Sequence, residues 1–515
     1  MNETISAAAV PPGRASRRRW LALAVVGAAM FLDTLDASIV TVVLPAIQTD
    51  LDGGYAMAQW TLAGYTLAFG LLLITGGRLG DVFGRKRVFM AGVAGFTVAS
   101  VVCGLSVNGE MLVAGRFAQG LMAALMVPQT MAVVVTLFRK EEWANAFTLV
   151  GVGLIVGSVS GPLLGGVLTE LDLLGLGWRA IFLINVPLGL LTLLLAVFFV
   201  PESRSEEPLR VDVLGVVLLA AAAVGVLYPL VQGREEGWPV WMFAVLAAGL
   251  VLLVVFAGQQ RSRHRRDGSA LIPPPLFRPR SFRVGLTVTL LFYTGISSFF
   301  LVLTYHLQFG LGWSVWRTAL ATSAWPLAII AATQVSWRVK SVAGRTWVGV
   351  GSLVLAAGVL CAIVSVRVSG AGLALWQVSL AGVVMGLGMG LCSPVLTAVV
   401  LGDVPPKDSG VGSGVVNAFM QLGSAVGIAV VGLVFFGLVG GDGDVGLDGG
   451  RDGSGGGAVV GDALAATLWY NVAAFLLTAL LSRLLPGSAG PADGAEGADG
   501  KPVAGEGVAA EPVAR

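Results

Sequence analysis

Fourteen stretches of about twenty mainly apolar residues recur along this chain of 515 residues. Apolar residues make up 56% of the sequence and charged residues 12%, about half the charged share of an average soluble protein. A water-soluble fold of this length has too little interior to hold so many apolar side chains. Each stretch is long enough to cross a hydrocarbon core of about 30 Å as a helix. The sequence therefore predicts an all-α membrane protein with fourteen transmembrane helices.

Helices are required because lipid offers the backbone no hydrogen-bond partner. The predicted helices cover residues 20–44, 57–77, 88–107, 111–137, 144–168, 179–200, 212–232, 239–258, 284–306, 317–337, 346–366, 374–400, 412–439 and 463–485.

Each membrane-spanning helix takes the chain to the other side of the membrane, so successive loops alternate between two sides. Lysines and arginines divide unevenly between these sides. Of the 32 basic residues, 26 fall on the side of the N-terminus, five fall on the opposite side, and Arg116 lies inside a helix. Positively charged loops are retained in the cytoplasm, so we expect both termini there. The expected cytoplasmic segments are a basic N-terminus (1–19), a basic loop (259–283) and a disordered tail (486–515), with a Gly/Asp-rich outer loop at 440–462.

Three ionisable residues lie at membrane depth, where a charge is costly and suggests a function. Asp33 and Asp36 are three apart in the first helix and so share one face. Two carboxylates in a cavity of low dielectric constant cannot both stay ionised at low cost, so one of them is suited to bind and release a proton. Arg116 in the fourth helix can pair with a carboxylate. The alternatives are an aspartate that only caps or pairs near water, and an arginine that only organises hydrogen bonds.

Two glycine-rich segments suggest moving parts. The loop after the second helix contains Gly77, Asp81, Gly84, Arg85 and Lys86, where glycines allow a tight turn and Asp81 suits the positive end of the third helix. Charge alone would also fit an ordinary cytoplasmic loop. In the fifth helix, glycines four apart allow another backbone to approach closely, and a proline bends the rod; simple tight packing is the alternative. These residues are Gly157, Gly161, Pro162, Gly165 and Gly166.

The sequence offers little for metal, cofactor or nucleic-acid chemistry. The three cysteines, Cys103, Cys361 and Cys392, lie in apolar runs, and there are only two histidines. Zinc chemistry would need a cluster of ligands. We therefore expect no metal, no cofactor, no nucleic-acid partner and no enzymatic activity.

Together these segments resemble the major facilitator superfamily, and more closely its fourteen-span drug:proton antiporter branch, over residues 20–485. The matching motifs are Gly77–Lys86, Leu112–Gly120, Gly157–Gly166, Leu35–Pro45 and Trp178–Pro187. Val82, Met122 and Thr41 depart from the usual residues. Of these motifs, the one in the fifth helix best separates exporters from sugar-type symporters.

The resemblance implies two six-helix bundles (20–200 and 284–485) around a central cavity, with two additional helices (212–258) packed between them. It implies a functional monomer in the cytoplasmic membrane that exchanges protons for a lipophilic small molecule. Asp36, with Asp33, would carry the proton, Arg116 would modulate it, and the loop from Gly77 to Lys86 would act as a conformational gate. Aromatic and amide groups would contact the substrate: Tyr65, Gln119, Phe292, Tyr293, Trp325, Asn417 and Gln421. Plain packing is the alternative for each of them.

Two other functions stay open at this point. One is a proton-coupled importer of a small metabolite on the same fold, against which the fifth-helix motif argues. The other is a membrane sensor that transports nothing, which would predict a sizeable soluble output domain.

Overall fold

The computed structural model describes residues 12–172, 175–205, 211–338, 344–405, 408–439 and 456–486. Within these ranges the chain is helical and contains no strand. The helices are α1 (Pro12–Asp50), α2 (Tyr55–Phe83), α3 (Arg85–Gly104), α4 (Gly109–Leu137), α5 (Trp143–Leu171), α6 (Ala180–Leu183), α7 (Asn185–Phe199), α8 (Val213–Gln232), α9 (Val240–Asp267), α10 (Arg280–Tyr305), α11 (Val315–Thr322), α12 (Ala324–Arg338), α13 (Gly344–Ser369), α14 (Leu375–Leu401), α15 (Ser409–Val439) and α16 (Gly456–Ser482).

The prediction of fourteen spans is confirmed, since fourteen helical segments are long and apolar enough to cross a membrane. Two of them are briefly interrupted. The sixth span divides into α6 and α7 at Ile184, and the tenth into α11 and α12 at Ser323. In each case a proline lies three residues further on, Pro187 and Pro326, and has no N–H to offer the carbonyl four residues before it.

Other boundaries differ from the sequence prediction. The eighth helix, expected to end at 258, continues to Asp267, so much of the expected basic loop 259–283 is helical. Arginine and glutamine are good helix formers, and the helix ends only at Gly268, whose φ of 69° suits glycine. Most of the expected outer loop (440–455), the tail from 487, and Lys340 and Lys407 lie outside the described residues.

The helices pack as two halves. In the first half, α1 contacts α5 and α7, while α4 contacts α2 and α3. In the second half, α10 contacts α15 and α16, while α14 contacts α12 and α13. We call the side that bears Arg19, Arg85, Arg139 and Arg263 the basic side of the molecule, and the other the opposite side.

The halves are joined by hydrogen bonds at the opposite side. The Tyr305 hydroxyl of α10 donates to Gln48 of α1, and the Gln308 amide donates to the Val42 carbonyl at 2.7 Å. The Tyr55 ring of α2 stacks on Phe436 of α15, with ring centroids 4.3 Å apart. These contacts close the space between the halves at that side.

The pair of additional helices, α8 and α9, is fastened to α2 at both ends. At the opposite side, Glu235 in the α8–α9 turn accepts a hydrogen bond from the Ala56 backbone N–H in the first turn of α2, at 2.7 Å. At the basic side, the Arg78 guanidinium donates to the carbonyls of Ser269, Ala270 and Leu271 in the segment after α9. The α8–α9 pair is thereby tied to the first half of the molecule.

Buried Asp212 holds the basic end of this pair together. Its carboxylate caps α8 through the Gly215 N–H at 3.0 Å and accepts from the Gln260 side chain of α9 at 2.7 Å. Burial alone would raise the pKa of Asp212. The hydrogen bonds from Gly215, Gln260 and Gln259 outweigh it and hold that pKa below its usual value. The cap is therefore charged at neutral pH.

A line of glycines joins α5 to α1. A Cβ atom on Gly153 would lie 2.9 Å from the Gly27 carbonyl oxygen, and one on Gly157 would lie 2.9 Å from the Phe31 carbonyl oxygen. Gly161 faces Ser38 and Gly165 faces Ile39 in the same way. The backbone of α5 thus packs directly on the helix that carries Asp33 and Asp36.

We predict that Gly157→Ala lowers the stability of the protein by about 1–3 kcal/mol, because the new methyl group must push α1 away from α5. Thermal unfolding of the purified protein, followed by tryptophan fluorescence, measures the effect. Gly151→Ala is the matched control, since Gly151 lies on the same helix with no atom within 4 Å of its Cβ position. Equal stability of the two variants would contradict the close approach of the backbones.

Candidate functional site

A buried polar cluster lies where α1, α2, α3, α4 and α7 meet. Six of its seven side chains are no more than 2% exposed and the seventh, Asp33, is 9% exposed. We call it the polar cluster; its members are Asp33, Asp36, Tyr65, Ser100, Arg116, Gln119 and Asn185.

Asp36 is the acceptor at the centre of the polar cluster. One carboxylate oxygen accepts from the Arg116 guanidinium in a fully buried ion pair. The other accepts from Gln119 at 3.0 Å and from Asn185 at 2.8 Å. Both oxygens are therefore satisfied, as a buried charge requires.

Arg116 is held from several directions. Its Nε donates to the Thr61 carbonyl at 3.1 Å, and an Nη donates to Gln119 Oε1 at 2.8 Å as well as to Asp36. The guanidinium carbon lies 4.2 Å from the centroid of the Tyr65 ring, a cation–π contact. Its position depends on α1, α2 and α4 together.

Asp33 lies one turn from Asp36 and has different surroundings. Its carboxylate accepts from the Tyr65 hydroxyl, and Tyr65 in turn carries Arg116 on its ring face. Asp33, Tyr65, Arg116 and Asp36 thus form a continuous chain of contacts between the two carboxyls. Asp33 is the more accessible end of this chain, since Asp36 is completely buried.

Sequence reasoning did not include Ser100 and Asn185 among the site residues. Ser100 accepts from Gln119 at 2.8 Å and donates to the Phe96 carbonyl, so it orients the amide that bonds Asp36. Asn185 was visible as a polar residue inside a span, and it is the first residue of α7, directly after the interruption of the sixth span. A polar residue beside a break in a membrane helix is the signal that could have identified it.

The segment from Gly77 to Lys86 was expected to be a loop, but it is helical except at Gly84, because α2 continues to Phe83 and α3 begins at Arg85. Its side chains are bonded within the first half. Arg85 donates to Asp81 at 3.0 Å and to Thr136 of α4 at 2.8 Å. Lys86 reaches the Val197 carbonyl at the end of α7, at 2.7 Å. Gly84 has a φ of 105° and a Glu202 carboxylate beside it, so a side chain there would be strained and would clash. Gly77 lies beside Pro128 of α4.

The residues predicted to contact substrate fall into three groups. Tyr65 and Gln119 belong to the polar cluster. Phe292 is fully buried in the second half and packs edge-to-face on Phe475, so it is not available to a ligand in this conformation.

Four predicted contacts remain partly accessible in the second half. Tyr293 bonds Ser393 at 3.0 Å, and Trp325 packs on Phe300. Asn417 is exposed, and Gln421, one turn further along α15, lies beside Gly70 of α2. Asn417 and Gln421 therefore share the face of α15 that meets the first half.

In the described part of the chain, His, Cys, Asp and Glu form no group that could hold a metal ion.

Comparisons with known proteins agree with this architecture. The family model described as Major Facilitator Superfamily matches residues 26–428. A probable actinorhodin transporter of Streptomyces coelicolor is 41% identical over 86% of this chain and 76% of its own length. A tetracenomycin C resistance and export protein of Streptomyces glaucescens is 31% identical, over 85% of this chain and 80% of its own.

Among solved structures, a bacterial homologue of the human lysosomal transporter Spinster, in an inward-facing and occupied conformation, has the same fold. Its TM-score is 0.63 at 18% identity, with 92% of this chain and 97% of that chain covered. The chain belongs to the Major Facilitator Superfamily, and it is a multi-pass protein of the cell membrane.

We predict strong energetic coupling between Asp36 and Arg116. Asp36→Asn and Arg116→Gln should each lower stability by about 3–5 kcal/mol, because each leaves one charge buried without its counterion. The double variant should be clearly more stable than the sum of the two losses implies. A double-mutant cycle from thermal or denaturant unfolding tests this. The exposed pair Arg367–Asp462, 3.4 Å apart, is the control and should show no measurable coupling. Additive losses at Asp36 and Arg116 would contradict the prediction.

Proposed function

We propose that this member of the superfamily exports lipophilic small molecules of the antibiotic or dye type from the cytoplasm in exchange for protons, by alternating access. The observation that carries the proposal is the buried polar cluster, in which two carboxyls and one arginine lie at membrane depth. The relatives named as an actinorhodin transporter and a tetracenomycin C export protein support the direction of transport. The proposal involves no chemical change of the substrate and no cofactor.

In this proposal the two aspartates have different roles. Asp33 accepts the incoming proton, because it is the more accessible carboxyl and has the Tyr65 hydroxyl beside it. Neutral Asp33 attracts the nearby guanidinium less strongly, which alters the strength of the ion pair between Arg116 and Asp36. Asp36 then gains or loses its proton as Arg116 moves. Tyr65 couples the two events because it touches both Asp33 and Arg116.

The substrate binds between the polar cluster and the accessible residues of the second half, which are Tyr293, Trp325, Asn417 and Gln421. Aromatic rings and neutral amides suit lipophilic compounds with few charges. The spans that contain α11, α12 and α15 carry no Asp or Glu. These spans therefore lack the second deep carboxylate that a divalent organic cation would need. Neutral or monovalent compounds are the substrates that this composition favours.

Alternating access requires the contacts at the opposite side to open while the basic side closes. The glycine-lined α1–α5 interface allows helix movement. The junction of α2 and α3 from Gly77 to Lys86, with Asp81 and Arg85, acts as the gate at the basic side. Proton entry supplies about 2.3 kcal/mol per 100 mV and about 1.4 kcal/mol per pH unit. This is enough for roughly a hundredfold substrate gradient.

We predict that Asp36→Asn abolishes proton-driven efflux, because the residue can no longer exchange a proton. Proteoliposomes with an imposed pH gradient, loaded with a panel of dyes and antibiotics, measure the rate. Asp33→Asn should lower gradient-driven transport at least tenfold while retaining substrate binding. Asp462→Asn, which removes an exposed carboxylate far from the polar cluster, is the control and should transport normally. Undiminished, gradient-dependent efflux by a well-folded Asp36→Asn protein would rule out its role.

A further inference from the structure

A large groove lies on the surface of the second half, between the start of α13 and the end of α16. Its volume is about 630 Å³. The walls are formed by Val350 and Leu353 of α13 and by Leu476 and Leu480 of α16, each of which is 41–57% exposed. These exposed leucines and valines lie within two predicted membrane spans, so the groove faces lipid. The part of the groove that they line suits hydrocarbon chains.

Two arginines lie at the rim of this groove at the basic side. Arg345 is the second residue of α13, and Arg483 directly follows α16; both side chains are exposed and both line the groove. The sequence of α13 contains no Asp or Glu, and the only one in α16 is Asp462, near its other end. The rim is therefore positively charged, and neither of these two helices places a carboxylate near it.

The rim lies at the ends of two membrane spans, Gly344–Gly372 and Val459–Ser482, which places it near the lipid headgroups. Trp347 lies in the first turn of α13, two residues after Arg345. Tryptophans concentrate at the boundary between lipid and water. The positive end of the α13 dipole also points to this rim, which favours an anion there. Charge and depth together indicate a phosphate-bearing headgroup above apolar chains.

A second groove at the same side provides a contrast. It lies between α1 and α7, has a volume of about 160 Å³, and is lined by apolar residues and Thr192, with no charged side chain. Such a groove can hold a hydrocarbon chain but has nothing to select a headgroup. The arginine pair is what distinguishes the α13–α16 groove.

We propose that the α13–α16 groove is a binding site for one anionic phospholipid, whose phosphate is held by Arg345 and Arg483 and whose chains lie against Leu353 and Leu480. Basic pockets between membrane helices at the cytoplasmic side suit anionic headgroups. The site is separate from the polar cluster in the first half. The proposal does not depend on the transported substrate or on proton coupling.

The test is native mass spectrometry of the full-length protein with added phosphatidylglycerol. The wild-type protein should retain one tightly bound lipid. Arg345→Gln/Arg483→Gln should bind it about thirtyfold more weakly, since each arginine near an anionic surface contributes about a factor of five. Arg265→Gln/Arg266→Gln removes two exposed charges from α9 at the same side but outside the groove. This control should bind the lipid like the wild type.

Three further arms make the outcome decisive. Gly349→Leu keeps both arginines but fills the floor of the groove, where a Cβ would already lie 3.0 Å from Ser482 Oγ, and should also weaken retention. Phosphatidylcholine should be retained poorly, and millimolar inorganic phosphate should not replace the lipid. The proposal is overturned if the groove variants bind like the wild type or the α9 control loses the lipid equally. It is also overturned if phosphatidylcholine binds as well, or if free phosphate competes fully.

Discussion

The buried ion pair between Asp36 and Arg116 is the interaction around which the first half of the molecule is arranged. A charge in a low-dielectric interior is stable only if its hydrogen bonds are satisfied, and five helices contribute to that requirement here. Asn185 and Gln119 complete the shell of Asp36, and Thr61 supplies a carbonyl to Arg116. A change in the charge of one carboxyl therefore alters the contacts of α1, α2, α3, α4 and α7. In the proposed mechanism, this arrangement links proton binding at a carboxyl to the movement of whole helices.

Much of this could be predicted from the sequence because membranes impose strong rules. The need to satisfy the backbone within lipid makes the fourteen spans visible, and the cost of buried charge singles out Asp33, Asp36 and Arg116. Glycine spacing likewise indicated that α5 packs closely on a neighbour. Its partner, α1, was not predictable, because the same glycine face would fit against any helix.

Other features depend on tertiary contacts that carry weak sequence signals. Ser100 is a common residue in membrane helices, and only its position opposite Gln119 gives it a role. Phe292 carries an aromatic ring like those expected to line a cavity, yet it packs inside the second half. Helix α9 continues past the predicted end because its basic residues are compatible with a helix outside the hydrocarbon. In each case the residue type fits both alternatives, and neighbouring helices decide between them.

The hold of Arg78 on the carbonyls of residues 269–271 has a mechanical consequence. Only the short, proline-containing segment from Ile272 to Pro279 separates this anchor, which belongs to the first half, from α10, which begins the second. A chain of that length spans at most about 3.3–3.6 Å per residue, and its prolines stiffen it. The segment therefore acts as a tether of limited reach, which sets the widest separation that the two halves can adopt at the basic side.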